Sequence, residues 1–226
     1  MPDKTVLYYS SNKEDPNFEQ KIISDLLSKI GNLPLISVTQ KPMDVGQNIC
    51  VGDVGLSYLN EWRQMLIGAK AAATPYLVMA ESDFLYSPEY FSFEPENENA
   101  IYRYNNVWMV FKERFYSFRR KHDSEGAQIV SRNLLIKILE DHLSGFPEWY
   151  QGNIKNLPMH KAKRPLYGCA PISYIEGRFA CLSFKTGDGV RPRTSLERGK
   201  QNIKTRLPYW GRISDVKNTF LSNNIF

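Results

Sequence analysis

The chain has 226 residues, 42% of them apolar and 23% charged, a balance that excludes intrinsic disorder and leaves ample length for a buried core. Lys and Arg exceed Asp and Glu by 29 to 24, giving a net charge of +5, and no window approaches the roughly 18 uninterrupted apolar residues of a membrane span. Cys50, Cys169 and Cys181 form neither a metal-type pair nor a disulfide framework, which excludes a disulfide-stapled scaffold and fits a reduced, cytoplasmic setting. Met1-Pro2-Asp3-Lys4 leads straight into an apolar segment, so no signal peptide is expected.

Thr5 to Tyr9 reads as a buried strand, ended by the polar run Ser10 to Lys13. Asp15-Pro16-Asn17 opens a helix whose stripe is Phe18, Ile22, Leu26 and Ile30, with Ile23 and Leu27 beside it, and Gly31-Asn32 closes it. Leu35 to Thr39 is a second strand, followed by a polar loop through about Gly55. A second helix aligns Leu59, Trp62, Leu66, Ala69 and Ala73 until Thr74-Pro75 stops it, and Tyr76 to Ala80 is a third buried strand. This alternation predicts an α/β fold: a mixed, mainly parallel sheet covered by helices, with ligands at the carboxyl ends of the strands.

Ala100 to Tyr104 and Val107 to Val110 read as strands separated by a turn at Asn105-Asn106. Asp123-Ser124 is a cap for a helix carrying Val130, Leu134 and Ile138. After Gly145-Phe146-Pro147 the sequence reads as an irregular, basic C-terminal region. With no internal repeat and no clean linker, residues 1–226 read as one domain, comprising a nucleotide-binding half (1–99) and an acceptor half (100–226).

The third strand empties into Glu81-Ser82-Asp83. Two carboxylates one residue apart at a strand's carboxyl end can face the same side of a turn. A hard divalent ion bridging a diphosphate takes one or two such ligands, with phosphate oxygens and water completing its shell. Taken alone, an acid-x-acid triplet is equally an ordinary solvated turn.

The stretch Gln64-Met-Leu-Ile-Gly68-Ala-Lys-Ala-Ala72-Ala-Thr-Pro-Tyr76-Leu-Val-Met-Ala-Glu81-Ser-Asp83 resembles the family-2-like glycosyltransferases of GT-A fold. In them a helix with a central glycine leads through small residues and a buried strand to an Asp-x-Asp triplet. Glu81 replaces the first Asp, and the usual Arg-Asn pair before the glycine is missing, so Asp83 is the safer metal assignment. Phe84 to Phe91, Tyr102 to Trp108, Ser131 to Leu135 and Tyr209-Trp210-Gly211 resemble a narrower branch, many of them from phages, that glycosylates hydroxymethylated pyrimidines in DNA.

The resemblance implies a nucleoside-diphosphate sugar as donor, with Mn2+ or Mg2+ at Asp83 and Glu81. It implies nucleotide-sugar contacts at Tyr9, Ser10, Ser11, Gln40, Gln64 and Gly68. Relatives place a late histidine ligand where this chain has Thr186-Gly187-Asp188-Gly189, so Asp188 is either a substitute ligand or an ordinary turn residue. A catalytic base is required to deprotonate the acceptor hydroxyl. Asp123, Glu125, Glu140, Asp141 and Glu148 are candidates, with Glu148 and Asp123 preferred.

From Lys185 to Lys217 nine Lys/Arg face Asp188, Glu197 and Asp215. Arg191, Arg193 and Lys200 are candidate phosphate contacts, and Tyr104 and Trp108 candidate stacking partners for an acceptor base. The expected function is a metal-dependent, cytoplasmic glycosyltransferase (in the host cytoplasm if phage-encoded), with 5-hydroxymethylpyrimidine in DNA as the favoured acceptor. The alternatives are a surface glycan or lipid-linked acceptor, a nucleotidyltransferase, and an inactive nucleic-acid-binding module.

Overall fold

Residues 3–113, 115–121, 124–152, 169–188 and 202–222 are described in a computed structural model of the protein. The strand read at Thr5–Tyr9 is β1 (Lys4–Ser10), buried along its whole length, with Val6 and Tyr8 facing one core and Leu7 and Tyr9 another. Helix α1 (Pro16–Leu27) follows; the Asp15 carboxylate caps it by accepting the Phe18 N–H at 3.0 Å, and Pro16 fits the first turn. Then come β2 (Leu35–Thr39), β3 (Gln47–Cys50), α2 (Tyr58–Ala71) and β4 (Tyr76–Glu81).

Next are β5 (Phe84–Leu85), α3 (Pro88–Ser92), β6 (Ile101–Tyr104), β7 (Val107–Phe111) and β8 (Phe118–Lys121). A single 3-10 turn, Glu125–Ala127, precedes β9 (Gln128–Ser131) and α4 (Arg132–Leu143). The remaining described elements are β10 (Ile172–Ile175), β11 (Cys181–Lys185), β12 (Ile203–Lys204), β13 (Arg206–Leu207), β14 (Gly211–Arg212) and α5 (Ile213–Leu221).

The fold is α/β. Among the described residues seven strands form the main sheet in the order β10-β6-β9-β4-β1-β2-β3. Strands β1 to β4 pair in parallel, β9 runs antiparallel to β4 and β6, and β10 pairs parallel to β6. Helices α2 and α4 cover one face through Trp62, Met65, Leu135 and Leu139. The other face packs against α1 and the aromatic segment Phe84 to Phe91. A second sheet, ordered β12-β8-β7-β11-β5, packs on α1 and α5 through Phe18, Trp108, Phe184 and Val216. Among the described residues no helix is long and apolar enough to cross a membrane.

Several expectations are corrected. The helix expected from Asp123-Ser124 begins only at Arg132, with Ser131 accepting the Leu134 N–H; Val130 lies in β9, clamped between β4 and β6. Asn105-Asn106 does not close a hairpin but carries the chain from one sheet to the other. Ala73 lies exposed beyond α2, and Leu27 is exposed on α1. The polar loop before Gly55 contains edge strand β3. The C-terminal region read as irregular supplies β10, β11 and α5, and β11 lies inside the second sheet.

Candidate functional site

Parallel strands β1, β2 and β4 end together, and the chain turns away from each to leave a cleft. Ser10 and Ser11 follow β1, Gln40 follows β2, and Glu81-Ser82-Asp83 ends β4. Segment 55–61 forms one wall, and the ends of β8 and β11, with Lys121 and Lys185, form the opposite side. The Asp83 turn is fixed to the second sheet: the Phe184 N–H donates to the Asp83 carbonyl at 2.8 Å, and β5 pairs with β11 immediately afterwards.

The floor of the cleft is acidic. Burial, then the charge of Asp83, pushes the Glu81 carboxyl up to about 7, against the opposing pull of Lys121. The Tyr9 hydroxyl donates to Glu81 Oε1 at 2.8 Å. Glu14, in the loop between β1 and α1, is buried beside this pair. Burial, then the Asp83 charge, pushes its carboxyl up to about 8. Thr186 Oγ1 donates to Glu14 Oε1 at 3.1 Å, while Oε2 is buried with no hydrogen-bond partner among the described residues.

Several of the expected nucleotide contacts meet here. Gln40 donates through Nε2 to the Gly55 carbonyl at 2.9 Å, which fixes the amide and leaves its buried Oε1 without a partner among the described residues. Gln64 reaches from α2 to donate to the Ser10 and Val38 carbonyls at 2.8 and 2.9 Å, tying the helix to both strand ends. Ser10 Oγ accepts the Asn12 N–H at 2.9 Å, so this serine braces the loop, and half-buried Ser11 lines the cleft.

Other expected residues lie elsewhere. Gly68 packs under the sheet instead: a Cβ there would stand 2.1 Å from Leu7 Cδ1 and 3.1 Å from Val38 Cγ2. Tyr104 is fully buried, its hydroxyl donating to the Phe179 carbonyl at 2.6 Å. Trp108 is core, with Nε1 donating to Asn106 Oδ1, so neither ring is open to a displaced base. Asp188 is exposed in a shallow depression beside the cleft, 3.5 Å from Lys112 Nζ. Glu148 is exposed and does not line the cleft, Asp141 is exposed, and Glu140 pairs with Lys70 at 2.6 Å on the helix surface. Asp123, Arg191, Arg193 and Lys200 lie outside the described residues.

Two acidic residues that the sequence reading passed over, Glu14 and Glu61, line the cleft together with Glu125, which the reading had placed among the possible bases. For Glu14 the available signal was its position four residues past the end of the first strand, where such sheets gather ligands.

Among the described residues no three His, Cys, Asp or Glu side chains converge as a metal cage. The donor set suits a different kind of ion site. Glu81 and Asp83 bring two carboxyl groups to one side of an open cleft, where the Asp83 charge adds to the burial that raises the Glu81 carboxyl. A hard cation using one or two carboxylates, with diphosphate oxygens and water for the rest, fits that arrangement. Asp83 and Glu81 would hold it.

No family model matches the sequence, and no curated protein matches it. Solved structures with partial likeness include a glycosyltransferase involved in the glycosylation of the major capsid of PBCV-1, at 12% identity, 77% coverage of this chain, 82% of that chain and a TM-score of 0.43. Another is the mannosyltransferase PcManGT from Pyrobaculum calidifontis in complex with GDP-Man and Mn2+, at 12% identity, 80% and 56% coverage and a TM-score of 0.45. A third is the inositol-1-phosphate CTP transferase from T. maritima, at 9% identity, 87% and 94% coverage and a TM-score of 0.48.

Proposed function

We propose that the chain is a metal-dependent glycosyltransferase that moves a sugar from a nucleoside-diphosphate sugar to an acceptor hydroxyl. The observation that carries this reading is the meeting of Glu81 and Asp83 with Ser11, Gln40 and Glu14 in one cleft at the carboxyl ends of β1, β2 and β4. Gln40, its amide fixed by the Gly55 carbonyl, and half-buried Ser11 would be the polar side chains facing the nucleoside. A divalent cation at Asp83 and Glu81 would neutralise the charge that builds on the departing diphosphate.

The acceptor oxygen forms the new bond to the sugar's anomeric carbon as the bond to the diphosphate oxygen breaks, and its proton passes to a carboxylate. Glu125 is the base in this reading, because it lines the cleft beside Lys121 and Ser124 while Glu148 does not. For the acceptor we propose 5-hydroxymethylpyrimidine in DNA. Its support is the sequence resemblance at residues 84–91, 102–108 and 209–211, together with the basic surplus from Lys185 to Lys217, whose first member lines the cleft as Lys121 also does. Residues 1–99 then serve the donor and 100–226 the acceptor, within one domain.

The test incubates the protein and Mn2+ with a panel of nucleoside-diphosphate sugars and hydroxymethylated or plain DNA, followed by nucleoside mass spectrometry. A hexose mass added only to the hydroxymethylated nucleoside, and lost in Asp83→Asn, is the expected result. Transfer to a free or lipid-linked glycan alone would sink the DNA acceptor and keep the glycosyltransferase. Release of pyrophosphate, in place of a nucleoside diphosphate, would point to nucleotidyl transfer.

A further inference from the structure

Strands β4 and β9 pair only as far as Val78 opposite Ile129. Past that point two buried tyrosine hydroxyls bridge the strands where the ladder has ended. Tyr90 Oη lies 2.9 Å from the Met79 carbonyl and 2.7 Å from that of Gln128. Two residue pairs further on, Tyr86 Oη accepts the Glu81 N–H at 2.9 Å and donates to the Gly126 carbonyl at 2.6 Å. The two rings stack with centroids 4.9 Å apart, and Tyr86 also stacks on Phe84 at 5.2 Å. Both tyrosines are essentially inaccessible to solvent, so the hydroxyls have little freedom to move.

The missing ladder makes room for the Glu81 carboxylate, which lies directly over Gly126. A Cβ at that glycine would stand 2.4 Å from Glu81 Cδ and Oε2 and 2.7 Å from Oε1. No side chain fits there without displacing the carboxylate. From the other side Tyr9 holds Oε1. Glu81 is therefore gripped at its backbone N–H, under its carboxylate and at one oxygen, by three separate segments.

We propose that Tyr86 and Gly126 are positioning residues, which set the Glu81 carboxylate at the cation and diphosphate end of the cleft and tie it to the turn that carries Glu125. This rests on the reading of the cleft as a cation-assisted nucleotide-sugar site. Tyr90 supplies the internal comparison, since it makes a similar bridge at Met79 and Gln128, neither of which lines the cleft.

The experiment titrates Mn2+ alone into the full chain and counts the free ion by electron paramagnetic resonance, with melting temperatures measured in parallel. Tyr86→Phe keeps the stacked ring and should weaken Mn2+ binding about tenfold, the scale on which groups that orient metal ligands act. Tyr90→Phe should lower the melting temperature comparably and leave Mn2+ affinity within about twofold, well short of that scale. Gly126→Ala should also weaken binding. Adding Glu81→Asp to it should recover part of the loss, because the carboxylate shortened by one methylene clears the new methyl group, although Glu81→Asp alone is harmful. Equal Mn2+ affinity in wild type and Tyr86→Phe, or Gly126→Ala and Glu81→Asp losses that merely add, overturns the proposal. Where Gly126→Ala does not fold, the tyrosine pair decides alone. Wild-type binding that Asp83→Asn abolishes and Tyr86→Phe spares would overturn the positioning role only. A wild type that binds no Mn2+, or binds it unchanged in Asp83→Asn, overturns the cation reading of the cleft and this inference with it.

Discussion

The Tyr9 hydroxyl sits 2.8 Å from Glu81 Oε1 and joins the ends of β1 and β4 across the floor of the cleft. Their register places Tyr9 directly beside Glu81, and both side chains turn to the α2 side of the sheet. Removing the hydroxyl leaves a desolvated carboxylate with one donor fewer. Tyr9→Phe should cost about 1–3 kcal/mol, the range for an orphaned buried polar group. For a chain of this size that is a fall in melting temperature of about 2–4 °C per kcal/mol, which calorimetry can read. The lost donor also pushes the Glu81 carboxyl further up, so Mn2+ binding near pH 7 should weaken. An unchanged melting temperature would mean that the bond contributes nothing to the fold.

Glu14 makes stability depend on pH. In the folded chain its carboxyl is pushed up to about 8 by burial and by Asp83, whereas its ordinary value is 4.5. Between those limits the folded state holds a proton that the unfolded state has released, so stability falls as pH rises from about 4.5 to 8. Glu14→Gln cannot ionise, and it can keep the Thr186 bond through its own carbonyl oxygen. Melting curves at several pH values should show the variant losing less stability than wild type across this window, and melting higher at pH 8. Parallel curves for the two proteins would contradict the buried, proton-holding state.

Much of the scaffold was legible because β1, β2 and β4 are short apolar runs bounded by polar or proline-containing breaks, and α1 carries a visible cap and stripe. Strand β9 was hidden because Gln128 to Ser131 runs straight into α4, and Val130 falls at helical spacing from Leu134 and Ile138. Only tertiary pairing with β4 and β6 decides that segment. At the site, Glu81 and Asp83 were visible from their place after a buried strand. The contributions of Glu14, Tyr86 and Gly126 depend on contacts between segments far apart in the chain, 45 residues for Glu81 and Gly126 and 172 for Glu14 and Thr186, and no local pattern records them. Tyr104 and Trp108 erred the other way: an aromatic-rich stretch fits a binding platform and a sheet core equally well, and here it is core.

Gly68 separates scaffold from site. Alanine there would gain about 1 kcal/mol of helix propensity over glycine. Its methyl group would meet fully buried Leu7 Cδ1 at 2.1 Å, and overpacking of a close-packed core typically costs about 1–3 kcal/mol. The clash wins because Leu7 has little room to retreat between α2 and the sheet. Gly68→Ala should therefore melt a few degrees lower, while the Michaelis constant for the donor at a temperature where the variant is folded stays that of wild type. A donor-specific defect without loss of stability would return Gly68 to the nucleotide site.

The catalytic base is the most direct test of how the cleft works. Glu125 lines the cleft on the side of Lys121 and Ser124, next to the glycine beneath Glu81, whereas Glu148 lies exposed outside it. General-base catalysis contributes about 10²–10⁴-fold, so Glu125→Gln should lower kcat with an acceptor by at least about 10²-fold. Gln is nearly isosteric and retains hydrogen-bonding groups, so Mn2+ affinity and the donor Michaelis constant should change little. Glu148→Gln should behave as wild type in all three measurements. Acceptor pH profiles add a second readout, because the wild-type rate should fall on the acid side as the base is protonated and that limb should flatten in Glu125→Gln. A full rate in Glu125→Gln together with a collapse in Glu148→Gln would reverse the assignment, and would require residues 146–150 to move into the cleft when the acceptor binds.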